Sequence, residues 1–167
     1  MANPSKAKKF NTYLQLFNPI EFPFTLHSDA HHDFSKSNKS IHPDLIKDYI
    51  TPYIGKNEDE YTEYIPCFLL DEQKNYIAVV VWKAGLKEYE YYVLTYNNAG
   101  DVIHHQVIGG MKSDGEKVIS RIAIIDDEKS IHMVEGELKD QETDYDPLKT
   151  KEYSFVLNEE GYLSLEH

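Results

Sequence analysis

The sequence predicts a mainly β protein with a minor helical part, N-terminal helices followed by an antiparallel meander of about eight strands. Three observations carry that reading. From Tyr64 onward the hydrophobic pattern shifts from a helical period to short β-rich runs. Polar turn signals separate those runs at even spacing, without helical pattern between them. The connections are also too short for the long crossovers that parallel strands require.

The elements follow in order. Phe10, Tyr13, Leu14 and Phe17 recur at i, i+3, i+4 and i+7, one apolar stripe on a helix of two to three turns. Asn18-Pro19 ends it, because the residue before proline is pushed out of the helical region. Phe22–Leu26 reads as extended, with Pro23 confining it to an edge. His27 through Ser40 is polar and reads as a loop. A second helix starts near Pro43, with proline at its favoured first position and Asp44 beside the positive helix end. Leu45, Ile46, Tyr49 and Ile50 form its buried face, and Thr51-Pro52 stops it.

The strands are Tyr64–Leu70, Tyr76–Lys83, Glu88–Tyr96, Val102–Ile108, Lys117–Ile125, Ile131–Leu138, Lys151–Leu157 and a short Tyr162–Leu165. Asn97–Gly100 and Asn158–Gly161 end in glycine, which supplies the positive φ that a hairpin bend often needs. Val118–Ile125 is apolar on both faces and reads as central. A barrel, a sandwich and a pair of propeller-like blades all accommodate this pitch. The chain is thus expected to divide into a helical and extended segment, 1–57, packed on a meander, 58–164, as one domain overall. Residues 165–167, Leu-Glu-His, read as the start of an expression tag.

Charge is uneven along the 167 residues. Residues 1–57 carry seven lysines against five acids, whereas 58–167 carry ten basic residues against twenty-four acids. Arg121 is the single arginine. Phosphate neutralisation drives nucleic-acid affinity and arginine is the usual base-edge reader, so an acidic chain with one arginine is not expected to bind nucleic acid. Cys67 has no partner for an intramolecular disulfide and, lying in an apolar run, reads as an inert buried thiol. No apolar run reaches the length of a membrane-spanning helix. The basic opening Met1–Lys9 lacks the apolar stretch of an intact signal peptide. A location in the periplasm or envelope follows if a leader has been removed, and a cytoplasmic one otherwise.

The succession Phe10-x-x-Tyr-Leu-x-x-Phe17, Ile20-Glu21-Phe22-Pro23-Phe24, the helix Leu45–Ile50, then Tyr92–Tyr96 and Gly100-Asp101-Val102-Ile103 resembles a group of small proteins and lipoproteins of Bacteroidetes-type bacteria. In that group a Phe-Pro-Phe-Thr segment and a helix precede a β-meander. The resemblance covers most of the chain, rests on apolar pattern, and implies an envelope location. It brings no assigned activity and no site residues.

Several constellations are candidates for chemistry. His27, Asp29, His31, His32 and Asp33 form the densest cluster of metal-ligating residue types. The segment lacks both a helical apolar pattern and the Glu of an H-E-x-x-H motif, so a solvated loop is the plainer reading. His104-His105 lies within a strand and sends its rings to opposite faces. Asp140, Glu142, Asp144 and Asp146 alternate like the start of a calcium loop, but Tyr145 and Lys151 replace its glycine and bidentate glutamate. Glu88/Glu90 and Glu135/Glu137 each share one strand face, and a solvated sheet face accounts for them. Tyr89, Tyr91, Tyr92 and Tyr96 on one strand, with Trp82 on the one before, are either cross-strand packing or an exposed aromatic platform for a glycan or protein.

Without a convergent catalytic set, the sequence points to a non-enzymatic β-rich binding or structural module, of the bacterial envelope, with a protein or glycan as partner and no cofactor. Two other classes stay open. One is an acidic immunity-type protein neutralising a basic partner. The other is a metal-dependent enzyme using His27, His31 and His32.

Overall fold

The computed structural model describes residues 4–27, 29–113, 115–139 and 150–166. The alternating acids of 140–146 therefore lie outside the described residues. Helix α1 (Pro4–Leu14) opens on a proline and presents Phe10 and Tyr13; a turn of tighter hydrogen bonds then brings Phe17 onto the same face. A three-residue strand, β1 (Phe24–Leu26), follows.

The polar stretch read as a loop contains a two-turn helix, α2 (Ala30–Ser37). Its anchors are Ala30 and Phe34, one turn apart and both buried, too short a pattern to register as amphipathic beside so many polar neighbours. Helix α3 (Pro43–Tyr49) starts at the proline, and the His42 imidazole caps it by accepting the Asp44 amide hydrogen through Nδ1 at 3.1 Å. Thr51-Pro52 does not end the helical region. The backbone breaks at Ile50 and resumes as a single turn, α4 (Thr51–Ile54).

The remaining strands are β2 (Glu63–Glu72), β3 (Ile77–Ala84), β4 (Glu88–Tyr96), β5 (Val102–Ser113), β6 (Lys117–Ile125), β7 (Ile131–Lys139), β8 (Lys151–Leu157) and β9 (Leu163–Leu165). β2 through β9 are antiparallel neighbours in chain order, and β1 joins by pairing with β6. The sheet is not closed, so it is not a barrel. β5 pairs with β6 only through Gly110–Ser113; beyond that the strands part and β1 takes the free length of β6 at Ala123–Ile125.

Two cores result. One lies inside the curled sheet, where Phe68, Val80 and Tyr91 from one half meet Ala123, Ile125, Met133 and Phe155 from the other, with Phe34 of α2 closing one side. The second lies on the opposite face of β2–β4, where Val79, Val81, Leu94 and Tyr96 meet Phe10, Tyr13, Leu45, Tyr49 and Ile50 of α1 and α3. β3 is therefore buried on both faces. β6 is not: it has paired neighbours on both edges, but Ile122 and Ile124 on its outer face are 41% and 48% exposed. Its expected central place in the sheet holds, and its outer apolar face is open because helices cover only the β2–β4 half.

Candidate site in a cleft beside helix α4

The helical cover stops at the Gly55–Asn57 turn, and beyond it the sheet face opens into a cleft of about 480 Å³. Tyr53, Ile54, Lys56 and Asn57 form one wall; Glu88, Glu90 and Tyr92 of β4, with Lys112 of β5 and Arg121 of β6, form the floor and the other wall. His105 and Gln106 stand at the side. Strand alternation sends Glu88, Glu90 and Tyr92 to this face, and Tyr89 and Tyr91 to the other.

The expectation of a solvated face for Glu88 and Glu90 is overturned: they are 8% and 3% exposed. α4 and its following turn lie over them, and no short-range pattern in the strand announces such a cover. Lys83 of β3, 1% exposed, reaches the same place. Its ammonium donates to the carbonyls of Ile54 and Lys56 at 2.7 and 2.8 Å and stands 3.3 Å from Glu88 Oε1. Lys112 approaches the other oxygen of Glu88 at 3.9 Å. Arg121 bridges two acids, with Nη1 donating to Glu90 at 3.2 Å and Nε to Glu135 at 2.8 Å. Its remaining terminal nitrogen has no hydrogen-bond partner among the described residues.

Burial, the hydrogen bond to Glu88 and the charge of Glu88 together raise the Glu90 carboxyl to about 7. Arg121 and Lys112 pull the other way, but desolvation and the neighbouring acid prevail. Glu90 therefore gains and loses its proton near neutral pH. The Tyr92 hydroxyl, itself held protonated by burial and these acids, donates to Glu90 Oε1 at 3.5 Å. Carboxyls in hydrogen-bond contact leave no space for the sugar carbon or water that separates a glycosidase pair by about 5 Å or more. The arrangement is an array of fixed donors and acceptors facing a cavity.

The sequence-derived candidates are placed elsewhere or singly. Tyr91 and Tyr96 are fully buried, Trp82 is 3% exposed, and only Tyr89, at 47%, faces solvent broadly. Tyr96 donates to the Tyr49 carbonyl and bonds the Tyr13 hydroxyl at 2.8 Å, deep in the helix-side core. As an exposed platform these five residues fail, since cross-strand and helix packing absorbs three of them. Tyr92 alone enters the cleft.

Of the metal candidates, His27 and Asp29 precede α2, and His31, His32 and Asp33 lie in its first turn. His31 stacks on Trp82 at 4.4 Å with 7° between the planes, and Tyr91 donates to the His27 carbonyl. Among the described residues no group of three or more His, Cys, Asp or Glu is gathered to hold a metal ion.

Sequence reasoning missed Lys83, Glu90 and Arg121 as a group. The available signals were a lysine closing an all-apolar strand, and the only arginine of the chain placed within a strand. No family model matches the chain, and no curated protein or solved structure is significantly similar to it.

Proposed function

We propose that the chain is a non-enzymatic binding module that seats a small polar ligand in the cleft beside α4. One observation carries the reading: Lys83, Glu88, Glu90, Arg121 and Glu135 form a row of paired charges, of which Glu88, Glu90 and Arg121 line an open cavity. Desolvating ion pairs is costly enough that apolar residues of similar volume would often serve stability as well or better. Their presence at a cavity, held in place by mutual pairing, supports a recognition surface. The same surface offers no nucleophile with an adjacent base, which favours binding over turnover.

The test is a ¹⁵N-labelled NMR titration against single compounds: glucose, sodium benzoate, benzylamine and inorganic phosphate. The expected result is that at least one of them shifts the amides of Tyr92, Gln106, Lys112 and Arg121 together. Shifts by none of them, or shifts confined to other parts of the molecule, would overturn the assignment of the cleft.

A further inference from the structure

The charges around the cleft are not evenly balanced. Lys56, Lys112 and Arg121 line it against two acids, Glu88 and Glu90, while Lys83 and Glu135 stand behind the lining, paired with Glu88 and Arg121. Three basic against two acidic lining residues leave the cleft net positive in a chain whose formal charge is −12, and a proton on Glu90 adds to that excess. Two of these cations also keep hydrogen-bonding capacity in reserve. Arg121 keeps a terminal nitrogen without a partner among the described residues, and the half-exposed Lys112 ammonium is only loosely held, 3.9 Å from Glu88. Each of these groups donates.

We propose that the ligand of this cleft is a small monocarboxylate, its charge taken by Arg121 and Lys112 and its body lying against Tyr53, Ile54 and Tyr92. The inference rests on the binding reading above and narrows it. A guanidinium and an ammonium converging on one cavity match a planar anion, and the Arg fork suits a carboxylate. A phosphate dianion would set two negative charges against Glu88 and Glu90, whereas a monocarboxylate sets one. An amine would face the cations already in place. A neutral polyol would leave the excess charge uncompensated.

Glu90 then makes the site pH-sensitive. The groups around it are Lys83 from β3, Glu88 and Tyr92 from β4, His105 and Lys112 from β5, Arg121 from β6 and, through that arginine, Glu135 from β7. With Glu90 protonated the cleft carries one negative charge fewer beside the ligand; with it ionised that charge opposes a carboxylate. Because the binding-competent form is protonated, affinity should follow its population, a change of about tenfold between pH 6 and pH 8.

The experiment is an NMR titration of the full chain with sodium benzoate at pH 6 and pH 8, set beside benzyl alcohol, benzylamine and inorganic phosphate. Benzoate is expected to shift the amides of Tyr92, Gln106, Lys112 and Arg121 and to bind about tenfold tighter at the lower pH. Glu90→Gln, neutral at every pH, should bind benzoate with little pH dependence. Lys112→Ala, a change at a half-exposed side chain, should weaken benzoate several-fold without moving the thermal midpoint. Benzyl alcohol, benzylamine or phosphate binding the same amides as tightly as benzoate would overturn the carboxylate assignment while upholding the cleft as a binding site. Full pH dependence in Glu90→Gln would overturn the role of the Glu90 proton. Silence of the cleft amides toward every probe would overturn the binding reading itself.

Discussion

Lys83 is an ammonium on a strand whose other side chains from Ile77 to Trp82 are all apolar and buried. It satisfies two carbonyls of the α4 turn and one carboxylate at once, so it joins the helical cover to the sheet at the edge of the cleft. Lys83→Met keeps the packing volume but leaves Glu88 and both carbonyls without their donor. Breaking a buried pair from one side costs about 3–5 kcal/mol, whereas an exposed pair such as Lys117–Glu137 contributes about 1 kcal/mol or less. Urea unfolding of Lys83→Met and Lys117→Met should show that contrast, and equal losses would contradict it. Residue chemistry was the least legible level of the sequence. Whether Glu88 and Glu90 face water depends on where α4 lies, and strand alternation reports only that they share a side. Cys67 was legible, because an apolar run on both sides of it is enough to bury it, and burial pushes its thiol well above the ordinary range.

At the scale of elements the strands were legible because alternation and turn chemistry are local. All eight meander strands fall where the pattern puts them, with β5 running five residues further, through Ser113. That extension carries the corner of the sheet. Gly110 has φ +107°, and a Cβ there would lie 1.9 Å from the Tyr89 carbonyl oxygen, so neither the conformation nor the space admits a side chain. Here β5 leaves β6, and the gap that opens along β6 is the one β1 fills. Two-residue glycine runs in strands mark such bends, but they do not say which strand inserts. Gly110→Ala should destabilise the fold by about 3 kcal/mol or more, through backbone strain and a clash that only sheet movement relieves. Gly115 also has positive φ, yet nothing lies within 4 Å of its Cβ position. Gly115→Ala should therefore cost only the left-handed penalty, about 1–2 kcal/mol. Denaturant midpoints of the two variants measure the difference, and comparable values would remove Gly110 as the corner. Helix α2 escaped notice for the opposite reason: two anchors a turn apart are held by tertiary contact with β2 more than by any local pattern.

For the whole molecule, buried and paired ionisable groups tie stability to pH, and they do so in opposing directions. Asp71 is buried, which disfavours its charge, but hydrogen bonds from Tyr76, Lys129 and Gln73 outweigh this and hold its carboxyl below the usual range. Its contribution is present above the unfolded carboxyl value and is lost as pH falls through the folded one. His104 is held low by partial burial and then by His105, with its Nδ1 accepting the Leu163 amide. The unfolded chain therefore takes up that proton first as pH drops below the ordinary histidine value, and stability falls. Glu90 runs the other way. Its folded value of about 7 lies above the unfolded one, so the native state binds the extra proton between them and stability declines as pH rises through that window. Over the middle of the range the histidine and Glu90 oppose each other, and the wild-type profile should be flatter than either alone. Glu90→Gln removes only the declining component. Its stability relative to wild type should climb between about pH 4.5 and 7, by an amount on the order of 3 kcal/mol, and stay level above that. The variant should thus be no more stable than wild type at the acid end and more stable at the alkaline end. Urea unfolding at intervals across this range provides the test; a difference that does not change with pH would mean that Glu90 carries no displaced proton, and the pH-sensitivity argued for the cleft would fall with it.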